Sequence, residues 1–136
     1  MVQVTVEYKD DLHCLATHCP SGQTFMTDAP VDNMGKGEFF SPTDLVATAV
    51  GACISTVMGM VADRYNLDLT GLKITVGKEM AKTAPRKIVK LMLDIVFPCA
   101  IEEKELAALK HVVRACPVVN SLDPAIEIET NYSFSE

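Results

Sequence analysis

The amino-acid sequence predicts an α+β fold with the element order β-β-β-α-β-β-α-β. Three patterns lead to this class: strand-like alternation of apolar and polar residues in several segments, one long uncharged stretch behind a helix cap, and a second stretch with the charge order of a helix. Strands and helices grouped in this way are typical of antiparallel sheets with helices packed against them. A chain of 136 residues is expected to form a single domain, residues 1–136, with a substantial core.

The N-terminal segment predicts a three-stranded antiparallel meander. Residues 2–9 alternate strictly, as in a strand with one buried face. The "KDD" that follows turns the chain, and residues 12–17 and 23–26 predict two more strands around "PSG". Residues 28–40 predict a loop.

A long helix is predicted to begin at "SPTD", residues 41–44. Ser41 can cap free amide groups, Pro42 suits the first helical position, and Asp44 completes a capping box. The helix is expected to run to about Tyr65.

The predicted long helix carries no charge over the 18 residues from Leu45 to Ala62. This length touches the threshold for a membrane span, but alanine, glycine, serine, threonine and valine dominate and charges stand at both ends. We therefore expect a helix buried by protein on nearly all sides and no membrane association. Because a small domain cannot easily surround about 36 Å of helix, burial by a second copy is the economical solution, which predicts a homodimer.

The C-terminal half predicts a hairpin, a helix and a last strand. Residues 72–77 and 89–97 alternate on either side of "KTAPRK". Residues 101–116 have glutamates at the start and basic residues at the end, which complements a helix dipole. Pro117 disfavours helical geometry for Cys116, so the helix is expected to end there, and residues 126–134 predict the last strand.

Charge and cysteine content exclude several classes of protein. The formal net charge of −6 repels a phosphate backbone, so nucleic acid is not an expected partner. The N-terminus lacks the charged and apolar regions of a signal peptide. Five cysteines, an odd count without a regular ladder, favour a reducing cytoplasm over a secreted disulfide scaffold.

The stretch "HCLATHC", residues 13–19, has the residue types of a metal site. In a strand, however, Cys14 and His18 share one face while His13 and Cys19 share the other, so the four side chains cannot converge on one ion. No second ligand cluster follows in the sequence, where the other histidine is His111. We therefore expect no metal in this segment.

Cys53 and Cys116 are the cysteines with a setting for chemistry, although each is also compatible with a core thiol. They lie on the apolar faces of the two predicted helices and meet if these helices pack side by side. Such a pair can reduce a peroxide: one thiolate becomes a sulfenic acid, and the second thiol condenses with it to a disulfide that an external dithiol resets.

The segments "SPTDLVATAVGACIS", "YNLDLTGLKITV" and "ACPVVNSL" resemble the osmotically inducible protein C / organic hydroperoxide resistance family (OsmC/Ohr) over essentially the whole chain. The resemblance implies a bacterial thiol peroxidase for organic hydroperoxides, with Cys53 as the peroxidatic and Cys116 as the resolving cysteine. It also implies an intertwined homodimer with active sites at the subunit interface, a lipoyl-bearing protein as dithiol reductant, and no metal or organic cofactor.

The sequence departs from the family pattern at the residues that activate the thiolate. The well-characterised branches of the family carry a Glu after the helix-start proline and an Arg in the N-terminal half, whereas here Thr43 follows Pro42 and the first arginine is Arg64. Thr43, Asp44 and Lys36 are weaker candidates for the supporting shell. Lys36 supplies a point charge without the planar fork of an arginine.

Three functions remain open at this stage. The leading one is a cytoplasmic thiol peroxidase in oxidative-stress defence. The second is a binding or redox-sensing member that keeps both cysteines but lacks turnover because the arginine is missing. The third is another thiol-dependent activity on a small electrophile, for which a disulfide between Cys53 and Cys116 is unnecessary.

Overall fold

The computed structural model of the protein describes residues 1–135 and consists of two compact units, Met1–Val46 and Ala47–Glu136. Each unit contains one three-stranded sheet. The mixed α+β class is confirmed, and the predicted order of strands and long helices is present. The prediction of one domain over residues 1–136 stays a prediction.

The first unit is an antiparallel meander of β1 (Val4–Asp10), β2 (His13–His18) and β3 (Thr24–Thr27). The turn between β1 and β2 places Asp10, Asp11 and Leu12 at positive φ, in agreement with the predicted turn at "KDD". The strand boundaries differ from the predicted ones by one or two residues. In contrast to the half-buried strand expected from its alternation, β1 is exposed along its whole length, because no residue of the first unit covers its apolar face.

The loop after β3 contains one short 3-10 helix, Val31–Asn33, and folds back so that Thr27 and Phe40 form an isolated parallel bridge. The Asp28 carboxylate holds this loop by accepting three backbone N–H bonds, from Ala29, Lys36 and Glu38. The close packing requires a glycine at position 35, where a Cβ would lie 1.7 Å from the Ala29 carbonyl oxygen.

The long helix α1 (Pro42–Arg64) begins in the first unit and continues in the second. Its predicted capping box is confirmed: the Ser41 N–H donates to the Asp44 carboxylate at 3.0 Å, and the Asp44 N–H donates to Ser41 Oγ at 3.1 Å. The helix is long and apolar enough to cross a membrane by length and composition alone, but its buried residues belong to a protein core. Only 33% of its most apolar window is buried, less than the sequence predicted.

The second unit continues with β4 (Lys73–Met80), β5 (Ile88–Phe97), α2 (Glu103–Ala115), α3 (Pro117–Asn120) and β6 (Glu127–Phe134). β4 and β5 form the predicted antiparallel hairpin. β6, however, pairs with β5 in parallel, which corrects the expectation of antiparallel sheets. The reason is the connection: α2 lies between β5 and β6 and provides the crossover that a parallel pair requires.

The core of the second unit lies between α1, β5 and α2. One face of α1 is buried together with alternate residues of β5 and the apolar face of α2. The buried residues are Ala47, Val50, Ile54, Met58, Leu91, Leu93, Ile95, Phe97, Leu109, Val112, Val113 and Cys116. This arrangement positions the two helices that carry Cys53 and Cys116.

Candidate functional site

Cys53 lies in the middle of α1, half-buried and packed against the core. The turn that carries it approaches β4 closely, because Gly51 has no side chain: a Cβ at this position would lie 3.1 Å from Val76 Cγ2. Gly51 therefore fixes how deeply the Cys53 turn sits on the sheet.

Cys116 is fully buried at the junction of α2 and α3. Its backbone is extended (φ −64°, ψ 125°), because Pro117 ends the first helix there and starts the second. The prediction that the helix ends at Cys116 is confirmed, whereas the short helix α3 was not predicted.

The Cys53 and Cys116 thiols lie close enough to interact, and both cysteines are free. Burial raises the pKa of the Cys116 thiol, and the hydrogen bond with Cys53 acts in the same direction. The backbone N–H groups of Val118 and Val119 favour the thiolate and oppose this shift, without reversing it. Two adjacent thiols of this kind can be oxidised to a disulfide.

A groove of about 430 Å³ begins one helical turn beyond Cys53 and ends one residue before Cys116. Its floor is apolar, formed by Val57 and Val61 of α1 and by Val112 of α2. Arg64 and His111 lie among its polar lining residues. The groove offers space for an apolar molecule on the helices that carry the two thiols, although neither cysteine is among its lining residues.

Thr43 and Asp44 lie in the first turn of α1, where they take part in capping the helix. Ser41 Oγ is 3.3 Å from Thr43 Oγ1, and Asp44 forms the capping box with Ser41. Thr43 precedes Cys53 by ten residues, which corresponds to about 15 Å of helix. Neither side chain can therefore reach Cys53 along its own helix.

Lys36 has a carboxylate partner in the first unit. Its ammonium forms an ion pair with Asp11 at 3.3 Å. The hydrogen bond from this ammonium to Asp11 is the main cause that raises the pKa of Lys36. The Lys36 ammonium, which belongs to the loop after β3, is thus paired with the β1–β2 turn.

Sequence reasoning missed a second group of polar side chains in the first unit. His13 Nε2 lies 3.5 Å from Asp28 Oδ1 and 3.8 Å from Glu38 Oε2. Burial favours the neutral form of Asp28, but the N–H groups of Glu38 and Ala29 outweigh it and hold the pKa of this carboxyl below its ordinary value. The three residues are too far apart in sequence, and the loop too irregular, for any periodicity to reveal this grouping.

The other three cysteines, Cys14, Cys19 and Cys99, belong to neither the thiol pair nor the His13 group. Cys14 is half-buried in β2, and Cys19 is exposed. The Cys99 thiol donates a long hydrogen bond of 3.8 Å to the Asp68 carbonyl oxygen.

Comparison with known proteins yields a consistent set of relatives. A family model described as OsmC-like protein matches residues 35–131. A candidate osmotic stress induced and detoxification response protein from Psychrobacter arcticus 273-4 is 36% identical, with a TM-score of 0.89, and the match covers 99% of this chain and 96% of that one. No curated protein matches the chain.

Two more distant solved structures share the fold. An OsmC like protein from Mycoplasma pneumoniae is 15% identical with a TM-score of 0.83, and the match covers 100% of this chain and 98% of that one. An organic hydroperoxide resistance protein from Elizabethkingia anophelis is 14% identical with a TM-score of 0.75, over 100% and 96% of the two chains. At these identities the likeness concerns the fold alone.

Proposed function

We propose, from the premise that the chain belongs to the OsmC-like protein family, that it is a thiol-dependent peroxidase of organic hydroperoxides. The observation that carries the proposal is the pair of interacting free thiols, Cys53 and Cys116, on the two helices of the second unit. Some proteins of this fold are organic hydroperoxide resistance proteins by name, which supports the same class of substrate.

The proposed reaction is a two-electron reduction of the hydroperoxide. The Cys53 thiolate attacks the terminal peroxide oxygen, the O–O bond breaks, and the alkoxide leaves as an alcohol after taking up a proton. Cys53 is then a sulfenic acid, which Cys116 attacks with loss of water to form a disulfide. An external dithiol, such as a lipoyl-bearing protein, reduces this disulfide by thiol exchange and is itself oxidised.

The apolar groove between α1 and α2, the helices that carry the thiols, supports a hydroperoxide with a hydrocarbon body. Burial of such a body against Val57, Val61 and Val112 stabilises the bound state in proportion to the apolar area removed from water. Hydrogen peroxide has no such body. The proposed selectivity is therefore for organic over inorganic peroxide.

A homodimer is part of the proposal. The apolar face of β1 is exposed in the single chain, with Val4, Val6 and Tyr8 at 64%, 65% and 60% exposure. Exposed apolar area of this kind marks interaction surfaces. A second copy would cover it, and would also allow Lys36 of that copy to support the Cys53 thiolate in place of the missing arginine, with Thr43 and Asp44 as weaker candidates for orienting that cation.

A cytoplasmic role in oxidative-stress defence fits the remaining observations. All five cysteines are free, as expected in a reducing compartment. The mechanism uses only thiol chemistry, so no cofactor is needed for it.

A second candidate function is redox sensing without turnover. It is favoured by the absence of an arginine before Arg64 and by the engagement of Lys36 with Asp11. In this case Cys53 and Cys116 would form a disulfide stoichiometrically, but the cycle would be too slow for catalysis.

The first experiment measures consumption of cumene hydroperoxide with dihydrolipoamide as reductant. Cys53→Ser is expected to abolish turnover, and Cys116→Ser to abolish the cycle through the intramolecular disulfide. Cys99→Ser serves as the matched control. It is expected to retain activity, because Cys99 lies in a loop and its thiol bonds the Asp68 carbonyl oxygen rather than another cysteine.

The outcomes separate the candidates. Turnover lost in Cys53→Ser but kept in Cys99→Ser supports the peroxidase. A disulfide between Cys53 and Cys116 in peptide maps, with no turnover on any dithiol or monothiol, supports the sensor instead. If both thiols stay free after hydroperoxide treatment, neither function stands, and activity on another electrophile becomes the reading to test.

A further inference from the structure

We propose that His13, Asp28 and Glu38 form a binding site for a divalent transition-metal ion, with Zn²⁺ as the best fit. The three residues come from β2, from the residue after β3 and from the loop that follows, all within the first unit. The proposal is independent of the thiol chemistry, and it differs from the expectation that the segment around His13 holds no metal.

The distances between the ligand atoms suit one ion. His13 Nε2 is 3.5 Å from Asp28 Oδ1 and 3.8 Å from Glu38 Oε2, and all three atoms lie within 4.8 Å of one another. Bonds of about 2.0–2.2 Å in a tetrahedron place neighbouring ligand atoms roughly 3.4 Å apart. The half-exposed Glu38 side chain can move by the ångström or so that closing the site on the ion requires.

His13 supplies an independent indication of a ligand. Its Nε2 is buried and has no hydrogen-bond partner. Among the described residues, no other buried side-chain nitrogen or oxygen lacks one. The ring packs edge-on against Phe39, with 5.6 Å between centroids, which holds Nε2 toward the carboxylates. A buried polar atom left without a partner costs free energy, and a metal ion would remove that cost.

Asp28 is built as a fixed ligand. Its side chain is only 1% exposed, and N–H groups of Ala29, Lys36 and Glu38 hold both of its oxygens. Each carboxylate oxygen has two acceptor positions, so Oδ1 can bond an ion as well as the Ala29 N–H. The same hydrogen bonds fix the backbone of Glu38, which brings the third ligand into range.

The charges favour a divalent cation. Asp28 and Glu38 contribute two negative charges, and the nearby Lys36 ammonium is paired with Asp11 at 3.3 Å. Imidazole suits zinc, iron, copper and nickel, and one imidazole with two carboxylates belongs to the borderline-hard ligand sets that Zn²⁺ accepts. Three protein ligands leave one position of a tetrahedron for water.

The test is Zn²⁺ titration of the reduced full-length protein by isothermal calorimetry. We expect one ion per chain, and affinity that is roughly tenfold or more weaker in His13→Ala and in Glu38→Gln. His18→Ala is the matched control, since this histidine lies in the same strand but bonds Ser21 Oγ at 2.6 Å. Asp28 is left intact because it holds the loop.

Cobalt substitution identifies the ligands. Co²⁺ at the proposed site is expected to show visible d–d bands that vanish in Glu38→Gln, without a thiolate-to-metal charge-transfer band.

The proposal is overturned if the wild type binds no metal, if both variants bind as tightly as His18→Ala, or if the charge-transfer band shows that the cysteines hold the ion. Thermal melts of each variant confirm that Glu38→Gln, whose side chain is half-exposed, is folded.

Discussion

Cys116 is the site residue for which the structure indicates a shifted thiol pKa. Burial and the hydrogen bond with Cys53 both raise its pKa, so a smaller fraction is thiolate at any given pH than in an exposed cysteine. In the proposed cycle this protects Cys116 from oxidation until the sulfenic acid has formed on Cys53.

We predict that iodoacetamide alkylates Cys116 slowly at neutral pH. The pKa of Cys116 is raised above the ordinary value of 9.0. The alkylation rate of the folded protein should therefore still be rising at pH values above 9.0. In the urea-unfolded chain the rise in rate should occur at lower pH. Mass spectrometry of quenched samples follows each cysteine. The exposed Cys19 is the internal control, and equal rates for Cys19 and Cys116 in the folded protein would contradict the prediction.

The thiol pair could be predicted from sequence, while the His13 group could not. Cys53 and Cys116 fall on apolar helix faces, and helical periodicity is a reliable guide to which side chains meet in a core. Asp28 and Glu38 reach His13 only through an irregular loop, whose shape depends on the hydrogen bonds of one buried carboxylate. No regular spacing encodes such an arrangement.

Helix α1 depends on close contact with β4 at a single turn. Gly51 allows that contact, whereas at Gly59, two turns later, no described residue outside the adjacent turns of the helix comes within 4 Å of the position that a Cβ would occupy. A side chain is therefore expected to destabilise the protein at position 51 and to be tolerated at position 59.

We predict that Gly51→Val lowers the free energy of unfolding by about 1–3 kcal/mol, because its side chain collides with Val76. Gly59→Ala should raise that free energy by up to about 1 kcal/mol, since alanine is the better helix former. Urea denaturation followed by circular dichroism measures both. A neutral Gly51→Val would mean that β4 and α1 separate easily at this turn.

The groove between α1 and α2 gives a test of substrate selection that rests on the proposed peroxidase. Ala108 lines the groove, and its neighbour Ala107 is exposed and outside the lining. We predict that Ala108→Leu lowers kcat/KM for cumene hydroperoxide more than for hydrogen peroxide, because the added side chain takes the space of the hydrocarbon body. Ala107→Leu should leave both values unchanged. Parallel losses for the two peroxides would place substrate entry elsewhere.

The elements themselves were largely predictable from alternation and caps, and the exceptions have physical causes. The capping box at Ser41 and Asp44 is a local signal, and it was confirmed. The parallel pairing of β6 with β5 is not local, because strand alternation does not encode direction. The short helix α3 escaped prediction because four residues, Pro117–Asn120, carry no helical periodicity.

For the whole molecule, the sequence predicted more burial than one chain provides. The uncharged α1 was expected to be covered on nearly all sides, and β1 on one face, yet most of the apolar window of α1 and all of β1 remain accessible. The apolar face of β1 also contributes Val4 and Val6 to a cavity of about 550 Å³ in the first unit. Apolar surface that the sequence encodes and one chain leaves open is the physical argument for a second copy.

We predict that the protein is a homodimer in sedimentation velocity and that Val6→Glu shifts it toward the monomer. A carboxylate on the apolar face of β1 would lose its hydration without gaining a partner, which should weaken dimerisation roughly tenfold or more. Thr5→Glu is the matched control, because strand alternation places position 5 on the opposite face of β1, and this variant should remain dimeric. A wild type that stays monomeric at all concentrations would refute the prediction. A Val6→Glu variant as dimeric as Thr5→Glu would mean that a different surface, such as the accessible face of α1, joins the two copies.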